Sequence, residues 1–559
     1  MGAPGTRLRI GDTLLARGVL TQSELDVALG EQRRVHRPLG EILVSLGFVT
    51  PVQMAEVVAE SLGLVVQRAV DLNPDPMLTA ALDPAFVRAT GAFPVKVVSQ
   101  VLHVVMTDPG DPEKVSAVRQ RFPFQLEVAM TTEDDLAALM RNFLAAQESQ
   151  VARILSDVEA QGRNALEAIP TEELAAAIVV DGVRRTATDI HIEPEEKVTR
   201  LRYRIDGVLQ SAENLPREVT DAVISRIKIL SRLDIAERRR PQDGRMRVVV
   251  DGRDVDLRVS IMPVTHGENL VLRVLDRAGG SVPLVALGFE PVVQRRLGQV
   301  AGRSHGLFLV TGPTGSGKTT TLYSILGQVD AIHRNVTTVE DPVEYRMPLV
   351  RQSQVEPAAG YTFGDGLRSL LRQDPDVILV GEIRDKETAD MAIKASMTGH
   401  LVFSTLHTNS AVGAIPRLVD LGIPGYLVED ALVGVLAQRL VRRVCRFCAA
   451  PAQPDAAERD WLGEDVGTPM AGSGCEHCNQ QGFAGRTVIS ELFLPDDDIA
   501  EAIRSGADSN TLRRMAQERG QLDMADDGRA KVRAGLTTVE EVLRVCSSHR
   551  LTKDSHGDV

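Results

Sequence analysis

Four apolar runs in the second half of the chain each end in a glycine or in polar residues. The runs are residues 307–311, 336–339, 377–380 and 401–405. Helix-compatible stretches separate them, and apolar strands that alternate with helices are typical of a parallel sheet covered on both faces. The carboxyl ends of parallel strands meet at one edge, where the ligands of such sheets bind. The pattern predicts an α/β domain from about residue 283 to the C-terminus, with the four polar strand ends side by side.

The first half of the chain shows other patterns. Residues 1–62 contain a sequence repeat with a period of 29 residues: Gly11, Leu14 and Gly18 are followed by Gly40, Leu43 and Gly47. Each copy predicts a turn and an amphipathic helix. Alternation predicts strands from there to about residue 145, and a polar stretch predicts a linker over residues 146–170. We expect a multi-domain α/β protein with domains at 1–145, 171–282 and 283–559.

Arginines are dense in the predicted strands of residues 171–282, an α+β pattern. They are Arg202, Arg204, Arg245, Arg247, Arg258 and Arg273. For any single arginine the ordinary interpretation is a solvated strand face. Together they favour a cationic surface that meets nucleotide phosphates at a domain or subunit boundary.

Composition argues against some classes of function. The 559 residues are 43% hydrophobic and 25% charged, as in a soluble globular protein, and are too many for one core. The net charge of −13 argues against a nucleic-acid partner, because phosphate neutralisation needs a basic excess. No apolar run approaches the roughly 18 residues of a membrane helix, and the N-terminus has no signal-peptide core, so we expect a cytoplasmic protein.

Residues 312–319 read Gly-Pro-Thr-Gly-Ser-Gly-Lys-Thr and fit the phosphate-loop pattern between a strand and a helix. Its glycines let backbone N–H groups approach a polyphosphate closely. Lys318 would reach the β- and γ-phosphates, and the Thr319 hydroxyl would hold Mg²⁺. The residues expected to bind ATP are Gly312, Pro313, Thr314, Gly315, Ser316, Gly317, Lys318, Thr319 and Thr320.

The other three strand ends supply candidates for hydrolysis. Gly381 stands where such proteins usually carry an Asp for Mg²⁺, and Glu382 follows it. We expect Glu382 to position the attacking water or the Mg²⁺ shell, with Glu344 as the second candidate. His407, at the fourth strand end, could sense the γ-phosphate. For each of the three, the alternative is an ordinary loop side chain.

Four of the five cysteines form two C-x-x-C pairs: Cys445 and Cys448, then Cys475 and Cys478. Two such pairs can place four thiolates around a structural Zn²⁺, within a subdomain at about residues 441–490. A redox role needs a lone pair near a thioredoxin-like pattern, which the sequence lacks. Cys546 stands outside this set and is interpreted as a buried apolar residue.

These motifs in this order resemble the ATPase superfamily of type II secretion and type IV pilus assembly, over nearly the whole chain. Besides the phosphate loop and the cysteines, the shared motifs are DIHIEP at 189–194, RPQDGR at 240–245, EDPVE at 340–344, GEIRD at 381–385, STLHTN at 404–409, AQRLVRR at 437–443 and GRTVISEL at 485–492. The resemblance implies a RecA-like ATPase core with a zinc-binding insertion, preceded by a PAS-like α+β domain and an N-terminal docking domain. In that family the second motif is itself Gly-Glu, and 340–344 and 404–409 correspond to its Asp box and His box.

Family members are ring hexamers whose second N-terminal domain supplies arginines to the nucleotide. By position, Arg258 and Arg273 match those arginines. The zinc cysteines and the N-terminal domain indicate secretion or pilus extension, because the retraction motors resemble only the later domains and lack the cysteines.

The N-terminal repeat resembles the domain that docks these motors on platform and linker proteins of the inner membrane. Some relatives bind cyclic di-GMP there through two copies of a longer motif. The first copy matches from Arg9 to Gln32, with Ile10 in place of leucine. The second copy departs, with Pro38 in place of arginine and Ser61 in place of glutamine. Binding of the dinucleotide is therefore a hypothesis, since a charged and a polar contact are both missing.

The sequence thus predicts a cytoplasmic hexameric ATPase, attached to the inner membrane through partners, that drives assembly of pilin-like subunits. Residues 434–438 and 486–492 favour the secretion branch over pilus extension. A DNA-translocating ring motor is a rival that the acidic balance disfavours. A second rival is a regulatory protein that binds nucleotide without hydrolysing it.

Overall fold

The computed structural model describes residues 10–546 apart from residues 36, 73, 76–77, 79–81, 146–148, 161–169, 277–281 and 479. The chain divides into two units, Met1–Ala278 and Gly279–Val559. Within the described residues, every helix is too short or too polar to cross a bilayer.

The strands of these residues form a 3-stranded, a 6-stranded, a 7-stranded and a 2-stranded sheet. The strands are β1 (Ala92–Val98), β2 (Val101–Met106), β3 (Gln125–Met130), β4 (Asp189–Pro194), β5 (Val198–Ile205), β6 (Val208–Pro216), β7 (Gln242–Val250), β8 (Arg253–Val264), β9 (Gly267–Asp276), β10 (Gly306–Thr311), β11 (Val336–Glu340), β12 (Arg351–Gln354), β13 (Val377–Val380), β14 (Leu401–Leu406), β15 (Leu432–Val444), β16 (Ala449–Pro451), β17 (Met470–Gly472) and β18 (Phe483–Phe493).

The α-helices surround these sheets. They span Ile10–Ala16, Gln22–Val35, Leu39–Ser45, Pro51–Ser61, Pro84–Thr90, Pro112–Arg121, Glu133–Ala145, Gln150–Ala160, Thr171–Arg184, Arg217–Leu230, Pro291–Ala301, Lys318–Leu326, Phe363–Leu370, Lys386–Met397, Ala414–Asp420, Gly425–Ala431, Ala456–Leu462, Asp497–Arg504, Ser509–Glu518, Met524–Arg533 and Val539–Cys546.

The N-terminal repeat folds into short helices around a small core of its own. The repeated glycines allow close approach between the two helices of each copy. A Cβ on Gly11 would lie 3.0 Å from Leu25 Cδ1, and one on Gly40 would lie 3.2 Å from Met54 Sδ. Strands β1 and β2 then pair antiparallel, and β2 and β3 pair parallel, in the 3-stranded sheet.

The 6-stranded sheet has the order β6-β5-β4-β9-β8-β7 and is antiparallel throughout. Alternation sets its faces, since Leu201 and Tyr203 are buried while the arginines between them lie on the other face. The hairpin of β7 and β8 turns at Asp251 and Gly252, whose φ angles of 51° and 81° suit the tight turn that an Asp-Gly pair favours.

The segment predicted as a linker contains the helix Gln150–Ala160. Val151 is fully buried in the core of the 6-stranded sheet. Asp181, on the helix Thr171–Arg184, accepts hydrogen bonds from the Ser149 hydroxyl at 2.7 Å and from the Val151 N–H at 3.1 Å. A carboxylate about thirty residues away therefore satisfies the first donors of this helix, and sequence-local reasoning does not see it.

The 7-stranded sheet has the order β12-β11-β13-β14-β10-β15-β18. All of its pairings are parallel except that of β15 with β18. Strands β10, β11, β13 and β14 are buried along their whole length, as their apolar runs predict. The fold class predicted from the sequence, a parallel α/β core preceded by α+β and helical segments, is confirmed.

Candidate active site

The phosphate loop leaves the end of β10 and leads into the helix Lys318–Leu326. Gly312, Gly315 and Gly317 have φ angles of 146°, 78° and 86°, which favour glycine. A Cβ on Gly312 would lie 2.5 Å from the Gln438 carbonyl oxygen, whereas Gly315 faces open space. The loop thus has the backbone freedom and the open side that a polyphosphate requires.

Side chains of the loop also fit a phosphate and a metal ion. Lys318 Nζ donates to the carbonyls of Gly312 at 2.9 Å and of Pro313 at 3.1 Å. Burial lowers the pKa of the Lys318 ammonium. Ser316 Oγ is buried without a hydrogen-bond partner among the described residues, while Thr319 is exposed in the first turn of the helix. Pro313 and Thr314 are exposed, and Thr320 is half-buried behind them.

Glu382 lies just after the end of β13, between Arg384 and His407. Its Oε1 is 2.5 Å from Arg384 Nη2, and its Oε2 is 3.6 Å from His407 Nε2. Attraction to Glu382 opposes the lowering of the Lys318 pKa, so this carboxylate also acts on the phosphate-loop lysine. The structure therefore brings together three sequence-predicted residues: Lys318, Glu382 and His407.

Gly381 is required by the close packing of the strand ends. A Cβ at this position would lie 3.3 Å from Glu340 Cα on the neighbouring strand. The Gly381 carbonyl accepts a hydrogen bond from the Thr405 hydroxyl at 2.8 Å. A larger residue would require the neighbouring strand end to shift by a few tenths of an ångström, so glycine suits this position.

The end of β11 carries two carboxylates in different surroundings. Glu344 is half-buried in the loop that follows the strand. Glu340 is 3% exposed and accepts hydrogen bonds from Tyr323, Thr338 and Gln352. Burial raises the pKa of Glu340. Sequence reasoning placed Glu344 among the site residues and missed Glu340, although its position as the last residue of an apolar strand was a signal.

Strand β15, on the other side of β10, adds two side chains that sequence reasoning also missed. Gln438 Nε2 donates to the Ser316 carbonyl at 2.7 Å and so braces the phosphate loop. Arg439 Nη2 donates to Asn409 Oδ1 at 3.1 Å. Strands β14 and β15 flank β10, so this bond crosses the end of β10, where the phosphate loop begins. It joins β15 to the segment that carries His407.

Arg258 and Arg273 lie in the first unit, directly opposite each other on β8 and β9. They belong to one row across the sheet, made of Arg204, Asp189, Arg273, Arg258 and Arg245. Arg273 Nε donates to Asp189 at 3.0 Å, whereas Arg258 Nη2 is buried without a partner among the described residues. Like charges directly opposite each other repel, so this row is a surface suited to an anion.

The four cysteines converge between β15 and β18, with all their sulfur atoms within 4.8 Å of one another. The Sγ atoms of Cys445 and Cys475, and those of Cys448 and Cys478, are 3.8 Å apart. A tetrahedron with Zn–S bonds of about 2.3 Å has S···S edges of about 3.8 Å, so the set fits Zn²⁺ with no open position. Cys546 lies on the helix Val539–Cys546, outside this cluster.

The motif considered for cyclic di-GMP is only partly described. Arg9 lies outside the described residues. Gln32 is on the helix Gln22–Val35, and its Nε2 donates to the Arg37 carbonyl at 3.1 Å.

Comparison with known proteins gives two family matches. Residues 164–544 match the family described as Type II/IV secretion system protein, and residues 62–150 match the MshEN domain. Among solved structures, the ATPase DotB of Legionella pneumophila has a TM-score of 0.50 at 20% identity, and the match covers 67% of this chain and 95% of that chain. At this identity the likeness concerns the fold alone.

Two relatives are similar over most of the chain. The type II secretion system protein E of Xanthomonas campestris pv. campestris is 39% identical over 557 residues, which cover 96% of this chain and 98% of that protein. The type IV pilus assembly ATPase PilB of Thermus thermophilus is 39% identical over 528 residues, which cover 92% of this chain but only 59% of that longer protein. The resemblance predicted from the motifs is confirmed, and the chain belongs to the type II/IV secretion system protein family.

Proposed function

We propose that this chain is a hexameric ATP hydrolase that powers assembly of pilin-like subunits for type II protein secretion. The observation that carries the proposal is the convergence of Lys318, Glu382 and His407 at one sheet edge, beside an open phosphate loop. The Xanthomonas relative, similar over nearly its full length, supports the secretion role.

Each residue of the edge has a proposed task. The backbone N–H groups of residues 312–320 and the Lys318 ammonium would hold the phosphates of ATP. The Thr319 hydroxyl would hold Mg²⁺, which supplies positive charge to the phosphate oxygens. Glu382 would orient the attacking water, and Glu344 is the second candidate to position the water or the Mg²⁺ shell. His407 would respond to the γ-phosphate through its contact with Glu382. Arg384 holds the Glu382 carboxylate in place through its ion pair.

The arginine row supports a ring in which each subunit completes the site of a neighbour. Arg258 and Arg273 would neutralise charge that develops on the transferred phosphoryl group, a contribution of about 10³ to 10⁵ in rate when an arginine does this. Only Asp189 interrupts the positive charge of the row. An incoming polyphosphate would relieve the repulsion between adjacent arginines.

The cysteine cluster is proposed to hold a structural Zn²⁺. The cluster joins the end of β15 to the start of β18, two neighbouring strands of the large sheet. Its metal would fix the course of residues 445–482 and so the position of β15 beside the phosphate loop.

Residues 1–145 are proposed to dock the motor on inner-membrane platform and linker proteins, so that the chain works at the cytoplasmic face of the membrane. The match to the MshEN domain supports a binding role for residues 62–150. Cyclic di-GMP is a proposed ligand of the repeat. Pro38 and Ser61 argue against it, because they replace the arginine and the glutamine of the binding motif.

A second candidate function is extension of type IV pili. The Thermus pilus assembly ATPase is as identical to this chain as the Xanthomonas secretion protein is, which favours this alternative. Both functions use the same hydrolysis site.

Replacing Glu382 by glutamine removes the charge that orients water but keeps the side chain's size. We expect phosphate release from ATP by the purified chain to fall by about 100-fold or more, the usual size of a lost general base. ADP affinity, measured by titration calorimetry, should stay within about threefold because the phosphate loop is untouched. Glu356→Gln, at an exposed position outside the edge, is the matched control. Near-normal hydrolysis by Glu382→Gln would contradict the assigned role.

Cells that carry only the Glu382→Gln chain distinguish the two functions. We expect exported proteins to be lost from the medium while surface pili, counted by electron microscopy, persist. Loss of pili with normal secretion would indicate that the chain drives pilus extension instead of secretion. Loss of neither, in cells where the variant accumulates normally, would contradict both.

The zinc proposal is tested by metal analysis of the purified chain. We expect about one zinc ion per chain, since four thiolates fill its coordination. Cys475→Ser should lose the metal, whereas Cys546→Ser should retain it because that thiol lies outside the cluster. A metal-free wild-type chain purified without chelators would contradict the assignment.

A further inference from the structure

The phenol of Tyr323 connects two parts of the candidate site that are separate in sequence. Tyr323 is fully buried on the phosphate-loop helix, and its hydroxyl donates to Glu340 Oε2. The same oxygen accepts from the Glu344 N–H at 3.4 Å and from Gln352 Nε2 at 3.4 Å. One hydroxyl thus contacts the end of β11, the loop that follows it and the edge strand β12.

The position of Tyr323 on its helix links it to the phosphate-binding residues. It stands four residues after Thr319, so the two residues lie on neighbouring turns of the same face. Lys318 is the first residue of that helix. A rigid helix moves as a unit, so any displacement of Lys318 and Thr319 displaces the phenol as well.

The opposite end of the connection is equally constrained. The Glu340 Oε1 atom accepts from the Thr338 hydroxyl and from Gln352 Nε2 at 3.3 Å. Gln352 also donates to the Tyr345 carbonyl at 3.1 Å and accepts from the Met347 N–H at 2.7 Å. The loop that carries Glu344 is therefore held from both sides, by Tyr323 and by Gln352.

We propose that Tyr323 is a positioning residue that holds Glu344 at a fixed offset from the phosphate and metal ligands of the same subunit. The role rests on the proposed hydrolysis, because Glu344 matters only if the site turns over ATP. Tyr323 acts through the Glu344 backbone and Glu340, and touches no reacting atom.

Loss of the Tyr323 hydroxyl should lower the rate of hydrolysis. Phenylalanine keeps the ring, including its edge contact with Tyr345 at 4.6 Å between centroids. It leaves Glu340 Oε2 buried without its donor, and an unsatisfied buried polar atom is costly. The β11 end and its loop would shift to relieve this, and a displacement of about 1 Å at a catalytic group can cost up to about 100-fold in rate.

The test compares the full-length chain with Tyr323→Phe. We expect kcat to fall by about 10- to 100-fold, because Glu344 loses its position. KM and ADP affinity should change by less than about threefold, because Tyr323 is not among the residues proposed to bind the nucleotide. Hydrogen exchange of the peptide spanning residues 341–347 should become faster, because the Glu344 amide loses its acceptor. Gln352→Met, which loosens the loop from the other side, should lower kcat in the same pattern.

Tyr361→Phe is the matched control, since its hydroxyl bonds Ser353 Oγ at 2.7 Å on the same edge strand and has no hydrogen bond to Glu340 or Glu344. Tyr323→Phe with wild-type kcat and unchanged exchange of residues 341–347 would overturn the proposal. Equal losses of kcat and ADP affinity would overturn it too, because they indicate general damage. A wild-type chain without hydrolysis would instead contradict the proposed function itself.

Discussion

Four parallel strands buried on both faces fix the position of the residues proposed for hydrolysis. Neighbouring strands of a sheet lie about 4.8 Å apart, so the ends of β11, β13, β14 and β10 stand within roughly 15 Å along one edge. Glutamate and histidine side chains reach across such spacings, and Glu382 meets His407 in this way. A shift of one residue in any of these strands would turn its buried side chains over and move its polar end out of reach. The register of the sheet, as much as the loops, therefore determines which polar side chains meet at this edge.

The sequence predicted the features that depend on short stretches of chain. Asp385 is of a residue type that commonly caps helices, and its side chain accepts from the Thr388 N–H at 2.8 Å at the start of Lys386–Met397. Gly399, just after that helix, has a φ of 103°, which favours glycine. The turn at Asp251 and Gly252, and the spacing within each C-x-x-C pair, also depend on residues close in sequence. In each case the physical cause lies within a few residues of the effect.

Features that depend on distant partners were not predictable in this way. The packing of the helix Gln150–Ala160 depends on distant residues. Its apolar stripe of Val151, Ile154 and Leu155 joins the core of the 6-stranded sheet, and its cap, Asp181, comes from another helix. The roles of Glu340 and Tyr323 depend on a hydrogen bond from the phosphate-loop helix to the end of β11. Gln438 braces the phosphate loop from a strand more than a hundred residues later. These contacts are consequences of the fold, and a single sequence carries no local sign of them.

In the proposed function, the chain hydrolyses ATP at this edge of the sheet and uses Lys318 to hold the phosphates. The most direct measurement is phosphate release from ATP and Mg²⁺ by the purified chain and by Lys318→Ala, with Lys394→Ala, an exposed helix lysine, as control. We expect hydrolysis by the wild-type chain and by Lys394→Ala, and loss of activity in Lys318→Ala. Equal rates for Lys318→Ala and the wild-type chain, or no hydrolysis by any assembled form of the chain, would contradict it.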